Sequence, residues 1–114
     1  MSVVEPQIVR ESVAPARAEF EIAVPEELFY LQGHFPEQPI LPGVIQIHWA
    51  VKLAAARLGI KPSFKGIEAL KFHRVIKPRM PLKLTLEHAD NTGKLHFSYV
   101  SDLGVHSQGR IVFE

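Results

Sequence analysis

The stretch GHFPEQPILPGVIQIHWAVKLAAARLG, Gly33 to Gly59, decides how this chain folds, because its character changes at Gly43. Before that point the prolines at 36, 39 and 42 deny the backbone both a continuous helix and a paired strand. After it, Val44 to Leu58 runs without a proline and ends on Gly59, a residue suited to a C-terminal cap. Lys52 and Arg57 fall toward that end, where cations complement the helix dipole. The spacing therefore predicts a helix over 43–58. At about 100° per residue, Val44, Ile47, Val51, Ala55 and Leu58 share one arc, while Ile45, Trp49, Ala50 and Leu53 cover much of the remainder. A helix apolar on most sides is expected to be buried.

On the N-terminal side, Ala18, Phe20, Ile22 and Val24 alternate with Glu19, Glu21 and Ala23, the period of a strand with one face on a core. That strand is expected to end before Pro25. From there to Pro42 the chain is loop-like, yet Phe29, Tyr30, Leu31, Phe35, Ile40 and Leu41 give it enough apolar surface to pack on the body. On the C-terminal side four runs read as strands: Phe64 to Ile76, Leu82 to Leu86, Leu95 to Tyr99 and Val105 to Phe113. Tight turns are expected at 90–93 and 102–104, with a wider corner at Lys77 to Pro81. In the Phe64 run, Ile67 and Ala69 point one way and Leu70 and Phe72 the other, which calls for a bulge or a strong twist. Residues 1–15 form an N-terminal extension or an edge strand. The expected architecture is α+β: one long buried helix wrapped by an antiparallel sheet of about five strands, in a single domain over 1–114. So small a sheet keeps exposed edges, and pairing with a second copy would cover one of them, so a homodimer is expected.

With 114 residues, 46% of them hydrophobic, there is material for one core and not for two. No apolar run approaches the ~18 residues that span a bilayer, and Met1 to Pro15 carries Glu5, Arg10 and Glu11 instead of a greasy leader. The absence of cysteine removes disulfides, thiolate metal sites and a cysteine nucleophile, and fits the cytoplasm. A net charge of +1 conceals an asymmetry: residues 1–50 hold two basic against seven acidic groups, whereas Lys52 to Lys83 holds nine basic groups against Glu68 alone. Such a field attracts acidic partners, with a solvated face as the plain alternative. Nucleic acid is not expected, because no recognition helix, aromatic RNA-binding motif or zinc spacing accompanies the charge.

The string Gly33-His34-Phe35-Pro36-Glu37-Gln38-Pro39-Ile40-Leu41-Pro42-Gly43-Val44 resembles the GHFPxxPxxPGV motif of the hot-dog fold 3-hydroxyacyl thioester dehydratases of fatty-acid synthesis, which act on acyl carrier protein. FKGIEALKFHRVIKP, from Phe64, resembles the long central strand of that family. The resemblance implies a hot-dog fold and a hydro-lyase that needs no metal or cofactor. Dehydration requires a base for the C2 proton, an acid for the departing C3 hydroxyl and a donor to the thioester oxygen as enolate character develops. By resemblance His34 is the base, and the backbone amide of Gly43 meets the thioester carbonyl. The acid position of the family, fourteen residues after the histidine, holds His48 instead of a carboxylate. Helical arithmetic expects His48 to point inward, at the margin of the apolar arc. LPGVIQIHW, with Gln46 and Trp49 flanking this histidine, is similar to the dehydratase-like branch of aryl-polyene clusters, which would take a 3-hydroxyacyl chain on a dedicated carrier protein.

Phe35, Pro36, Leu41, Pro42, Val44 and Phe72 are the expected acyl-binding residues, although ordinary packing explains Phe35, Leu41 and Phe72 equally well. Arg74, Lys77 and Arg79 are the expected docking residues for an acidic carrier protein bearing a phosphopantetheine thioester. His73, His88, His96 and His106 read as ordinary surface or core histidines. In dimeric dehydratases base and acid come from opposite subunits, so His34 would face His48 of a second copy, or the counterpart in a paralogue if the dimer is mixed. Two other functions stay open: a hot-dog thioesterase, which needs a carboxylate to activate water, and a non-catalytic acyl-binding partner subunit.

Overall fold

A computed structural model describes residues 5–25, 40–61, 63–89 and 92–113. In chain order the elements are β1 (Gln7–Ala14), β2 (Arg17–Ala23), α1 (Gly43–Leu58), β3 (Phe64–Phe72), β4 (Pro81–Ala89), β5 (Lys94–Ser101) and β6 (Gly104–Phe113). The strands form one antiparallel sheet in the order β1-β2-β4-β5-β6-β3. The helix lies across it, against β1, β2 and β4. The number of strands among the described residues is six, one more than the sequence suggested, because Gln7–Ala14 pairs with β2 as an edge strand.

Alternation along the strands builds the core. Phe20 and Ile22 of β2, Leu82, Leu84 and Leu86 of β4, Leu95, Phe97 and Tyr99 of β5 and Ile111 of β6 are buried on the helix side of the sheet. The intervening residues Glu19, Lys83, Glu87, His96 and Arg110 stay on the opposite, solvated face, the pattern of a sheet covered on one side. Phe97 and Tyr99, two residues apart on one face, meet edge to face with ring centres 6.1 Å apart.

Helix α1 starts at Gly43 and stops where Gly59 takes the left-handed conformation, φ 68°. Its buried face differs from the expected arc. Gln46, Trp49, Ala50, Leu53 and Ala54 face the sheet, whereas Val44 is 70% exposed and Ile47, Val51, Ala55 and Leu58 are only partly buried. The reason is geometric: one sheet covers one side of a helix, and with apolar residues on both sides the sequence could not say which. Within one chain the expected burial of the helix is met on the face it turns to the sheet.

Strand β3 departs from expectation in a second way. It ends at Phe72 and not at Ile76, because the amides of His73 and Arg74 both turn to the carbonyl of His106, at 2.8 and 3.2 Å. The anticipated bulge lies between Glu68 and Lys71, where Ala69 adopts φ 51°. Another irregularity interrupts β6: Tyr99 pairs with Ser107 but Val100 pairs with Val105, leaving His106 as the extra residue. The bulge turns both His106 and Ser107 into the interior, where alternation alone would bury one of them.

Candidate active site

The chain enters α1 through Leu41-Pro42-Gly43, and this entry is fixed by hydrogen bonds. The Leu41 amide donates to the Ile76 carbonyl at 2.8 Å. Pro42 is the residue before the first turn, with φ −59° and no side chain able to cap. Its carbonyl accepts from the Ile45 and Gln46 amides at 3.1 and 3.3 Å. The amides of Gly43 and Val44, at the head of the helix, have no intrahelical acceptor, and the helix dipole makes that end favourable for negative charge. No acidic residue occupies the first turn.

Facing this entry is the end of β3 and the segment after it. Ile40, Leu41, Gly43 and Gln46 on one side and Phe72, His73, Arg74 and Val75 on the other line a groove of about 290 Å³. Gly43 has no spare room beneath the Phe72 ring: a Cβ added there would lie 2.5 Å from Phe72 Cζ. Glycine at 43 thus keeps the helix head open to a group lying in the groove.

Two buried polar clusters support these walls from behind. Gln46, 3% exposed, donates through Nε2 to the Leu41 carbonyl at 3.2 Å, and its Oε1 accepts from the Ser107 hydroxyl at 2.6 Å. The Tyr99 hydroxyl donates to the Gln46 carbonyl at 2.6 Å. Burial drives the Tyr99 hydroxyl far above its ordinary range, so it remains a donor at every physiological pH. On the other wall His106 is fully buried, with Nδ1 3.0 Å from the Val75 carbonyl and Nε2 2.6 Å from the Ser101 hydroxyl. A carbonyl only accepts, so Nδ1 carries a proton and donates to Val75. His106 is thus a core histidine, as expected for it.

Of the residues anticipated from sequence, the groove brings together Gly43, Leu41, Phe72 and Arg74. Pro42 is half-buried at the helix head and Val44 points outward. His34, Phe35 and Pro36 lie outside the described residues, as does Glu37. His48 corrects an expectation: it is exposed, not inward, because it stands about 200° round the helix from Gln46 at the centre of the buried arc. Lys77 and Arg79 lie exposed on the corner after Arg74. The basic segment is partly neutralised within the chain, since Lys52 pairs with Glu5, Arg57 with Glu11 at 2.6 Å and Lys83 with Glu19 at 3.3 Å. Lys61, Lys65, Lys71, Arg74 and Lys77 form no ion pair among the described residues. Sequence reasoning did not give Gln46, Ser107 or Tyr99 a part in the site. The available signal was a lone amide on an otherwise apolar helix arc. Among the described residues no cluster of histidine and carboxylate side chains could hold a metal, and no helix is long and apolar enough to cross a membrane.

Comparison with known proteins gives this groove its context. A family model described as ApeI-like, ApeI dehydratase, matches residues 10–110. A chain of the dehydratase heterocomplex ApeI:P from Xenorhabdus doucetiae superposes with a TM-score of 0.87 at 33% identity, over 94% of this chain and 96% of that one. An uncharacterized protein from Erwinia carotovora gives 0.80 at 31% identity, covering 93% of each. Among curated relatives, the 3-hydroxyacyl-[acyl-carrier-protein] dehydratase FabZ of Oenococcus oeni is 34% identical over 89 residues, 69% of this chain and 63% of its own length. The FabZ of Clostridium novyi is 41% identical over 66 residues, 52% of this chain and 46% of its own length. The matches thus span about half to two thirds of those relatives. A match over 10–110, on a superposition this complete, places the chain in the ApeI-like dehydratase family.

Proposed function

We propose that the chain is a cytoplasmic 3-hydroxyacyl thioester dehydratase that acts on acyl groups carried by an acyl carrier protein, in aryl-polyene or fatty-acid-like synthesis. The observation that carries this reading is the groove at the head of α1: it gathers Gly43, Leu41, Phe72 and Arg74, and the sequence leading into it is the GHFPxxPxxPGV motif.

In the proposed reaction His34 takes the C2 proton, and the thioester oxygen, as it gains negative charge, is met by the Gly43 amide at the positive end of the helix. The C3–O bond then breaks, a proton donor converts the leaving hydroxyl to water, and the C2–C3 double bond forms. The donor in this scheme is His48 of a second subunit. That assignment accommodates its exposure on a single chain, since a residue acting across an interface is uncovered until the partner arrives. The exposed apolar side chains Phe64, Leu70 and Phe72 of β3, with Val44 and Val75 near the helix head, support a dimer through this side of the molecule. A mixed dimer is the second reading, favoured by the neighbour from Xenorhabdus doucetiae, which is itself a dehydratase heterocomplex. Arg74 and Lys77 are the proposed contacts for the acidic carrier, as cations with no ion pair among the described residues.

The test is incubation of the purified protein with 3-hydroxyacyl and enoyl thioesters on a carrier protein, with water loss, hydration and thioester hydrolysis followed by mass spectrometry. Dehydration is expected, and His34→Ala should abolish it; hydrolysis in its place would make the protein a thioesterase. His48→Glu, which restores the family's usual acid, should preserve or raise the rate. Lys77→Glu should raise KM for the carrier-bound substrate and leave a free pantetheine thioester unaffected.

A further inference from the structure

Gln46 sits at the centre of the face that α1 turns to the sheet, where Trp49, Ala50 and Leu53 are its apolar neighbours. Burying a primary amide is costly unless its hydrogen bonds are remade, and an apolar side chain of the same length would avoid that cost. Here they are remade in a directed way. Oε1 is fixed by Ser107 of β6, the main-chain carbonyl of the same residue is fixed by Tyr99 of β5, and Nε2 is left to reach back to the Leu41 carbonyl. Leu41 is therefore gripped on both sides of its peptide frame, by Ile76 at its N–H and by Gln46 at its C=O. Only Pro42, whose ring restricts φ, separates that carbonyl from the Gly43 amide.

We infer that Gln46 is a positioning residue, which through Leu41 and Pro42 sets the direction of the Gly43 amide in the groove. The inference rests on the proposed function, in which that amide meets the thioester oxygen. A donor to a developing negative charge is effective only if its orientation is fixed before the charge appears, because reorientation during the reaction cancels its advantage. A proline alone would not fix it; a proline behind a clamped carbonyl does. Gln46 touches no reacting atom in this scheme, and its effect is carried by the backbone it holds.

Three variants test this: Gln46→Met, which keeps the length of the side chain and loses both hydrogen bonds; Gln46→Glu, which keeps the acceptor for Ser107 but cannot donate to Leu41 while ionised; and Ser107→Ala, which removes the support of Oε1. Amide exchange of Leu41, compared with Leu84 and Ile111 in the sheet, reads the grip without reference to catalysis. In Gln46→Met the Leu41 amide should exchange about tenfold faster, equivalent to about 1.4 kcal/mol of easier local opening, with Leu84 and Ile111 unchanged. The rate per folded molecule should fall in kcat by about tenfold while KM stays within about twofold, the pattern of an interaction realised in the transition state. Ser107→Ala should show the same changes at smaller size, and it serves in place of the methionine variant if that one fails to fold. In Gln46→Glu, activity relative to wild type should recover as the pH falls and the introduced carboxyl gains the proton it needs to donate to Leu41. Unchanged Leu41 exchange and unchanged kcat in Gln46→Met, or in Ser107→Ala if the methionine variant does not fold, would overturn the positioning role even in an active enzyme. A wild-type chain inert toward every thioester would instead overturn the proposed function, so the two failures are told apart.

Discussion

At Gly43 a single methyl group would be felt. Alanine gains roughly 0.5–1 kcal/mol of helix propensity over glycine, but its Cβ would fall 2.5 Å from the Phe72 ring. Such overpacking costs about 1–3 kcal/mol, and the half-exposed ring has room to yield, so a net destabilisation of about 1 kcal/mol is expected from thermal melting. The larger effect should be on turnover, since the displaced ring moves within the groove: kcat/KM should fall by about 10²-fold or more, the scale of losing one well-placed donor. A variant as active as wild type would remove Gly43 from the site. His106 poses the complementary case, a residue remote from the chemistry whose loss is structural. His106→Ala leaves the Val75 carbonyl and Ser101 hydroxyl without their buried partner and opens a cavity, so about 3 kcal/mol of stability should disappear in denaturant titration. The two residues were unequally legible. Gly43 stands in a motif at fixed spacing, whereas the burial of both His106 and Ser107 follows from a bulge that no period-two reading of β6 contains.

Elements were more legible in extent than in orientation. The helix was bounded by Gly43 and Gly59 in the sequence as in the structure, because both ends carry residues with definite backbone preferences. Its buried face was not legible, since Val44, Ile47 and Val51 are as apolar as Trp49, Ala50 and Leu53, and only the sheet decides between them. The misplacement of His48 follows from that one ambiguity. The sequence of β1 fits an extension as well as a strand, because all its side chains are exposed and no alternation marks it. What ties the outer elements together is charge: Glu5, before β1, reaches Lys52 of α1, Glu19 of β2 is held by Arg17 and Lys83, and Glu68 of β3 is held by Lys94. In each case the hydrogen-bonded cation lowers the carboxyl below its ordinary value of 4.5. Groups depressed in the folded chain stabilise it fully above the unfolded value, and the stabilisation is lost as the pH falls through the folded values. The melting temperature should therefore drop below about pH 4.5. All three carboxylates reach solvent, so the drop should be shallower at 1 M salt, where screening acts within about 3 Å. An acid limb of equal slope at low and high salt would show that these pairs contribute nothing.

For the whole molecule, the edge of β3 is the place where the proposed dimer would form. β3 ends the strand order, so one row of its backbone groups has no strand partner among the described residues, and Phe64 and Phe72 beside it are half exposed. An open edge carrying apolar side chains is the feature that soluble proteins cover or charge, and here the charged residues Lys65, Glu68 and Lys71 only interrupt it. In the proposed dimer a second chain adds its own β3 to this edge, and the exposed His48 acts in the partner's groove. Activity and assembly are then one property. Leu70→Lys places a charge on the edge without touching the groove lining, and should convert a dimer to a monomer in sedimentation while leaving the thermal transition of the monomer cooperative. Its specific activity should fall at least tenfold at concentrations where wild type is dimeric, and wild type should lose activity in the same way on dilution. A monomeric Leu70→Lys that turns over substrate at the wild-type rate would sink the shared site and return the proton donor to residues of a single chain.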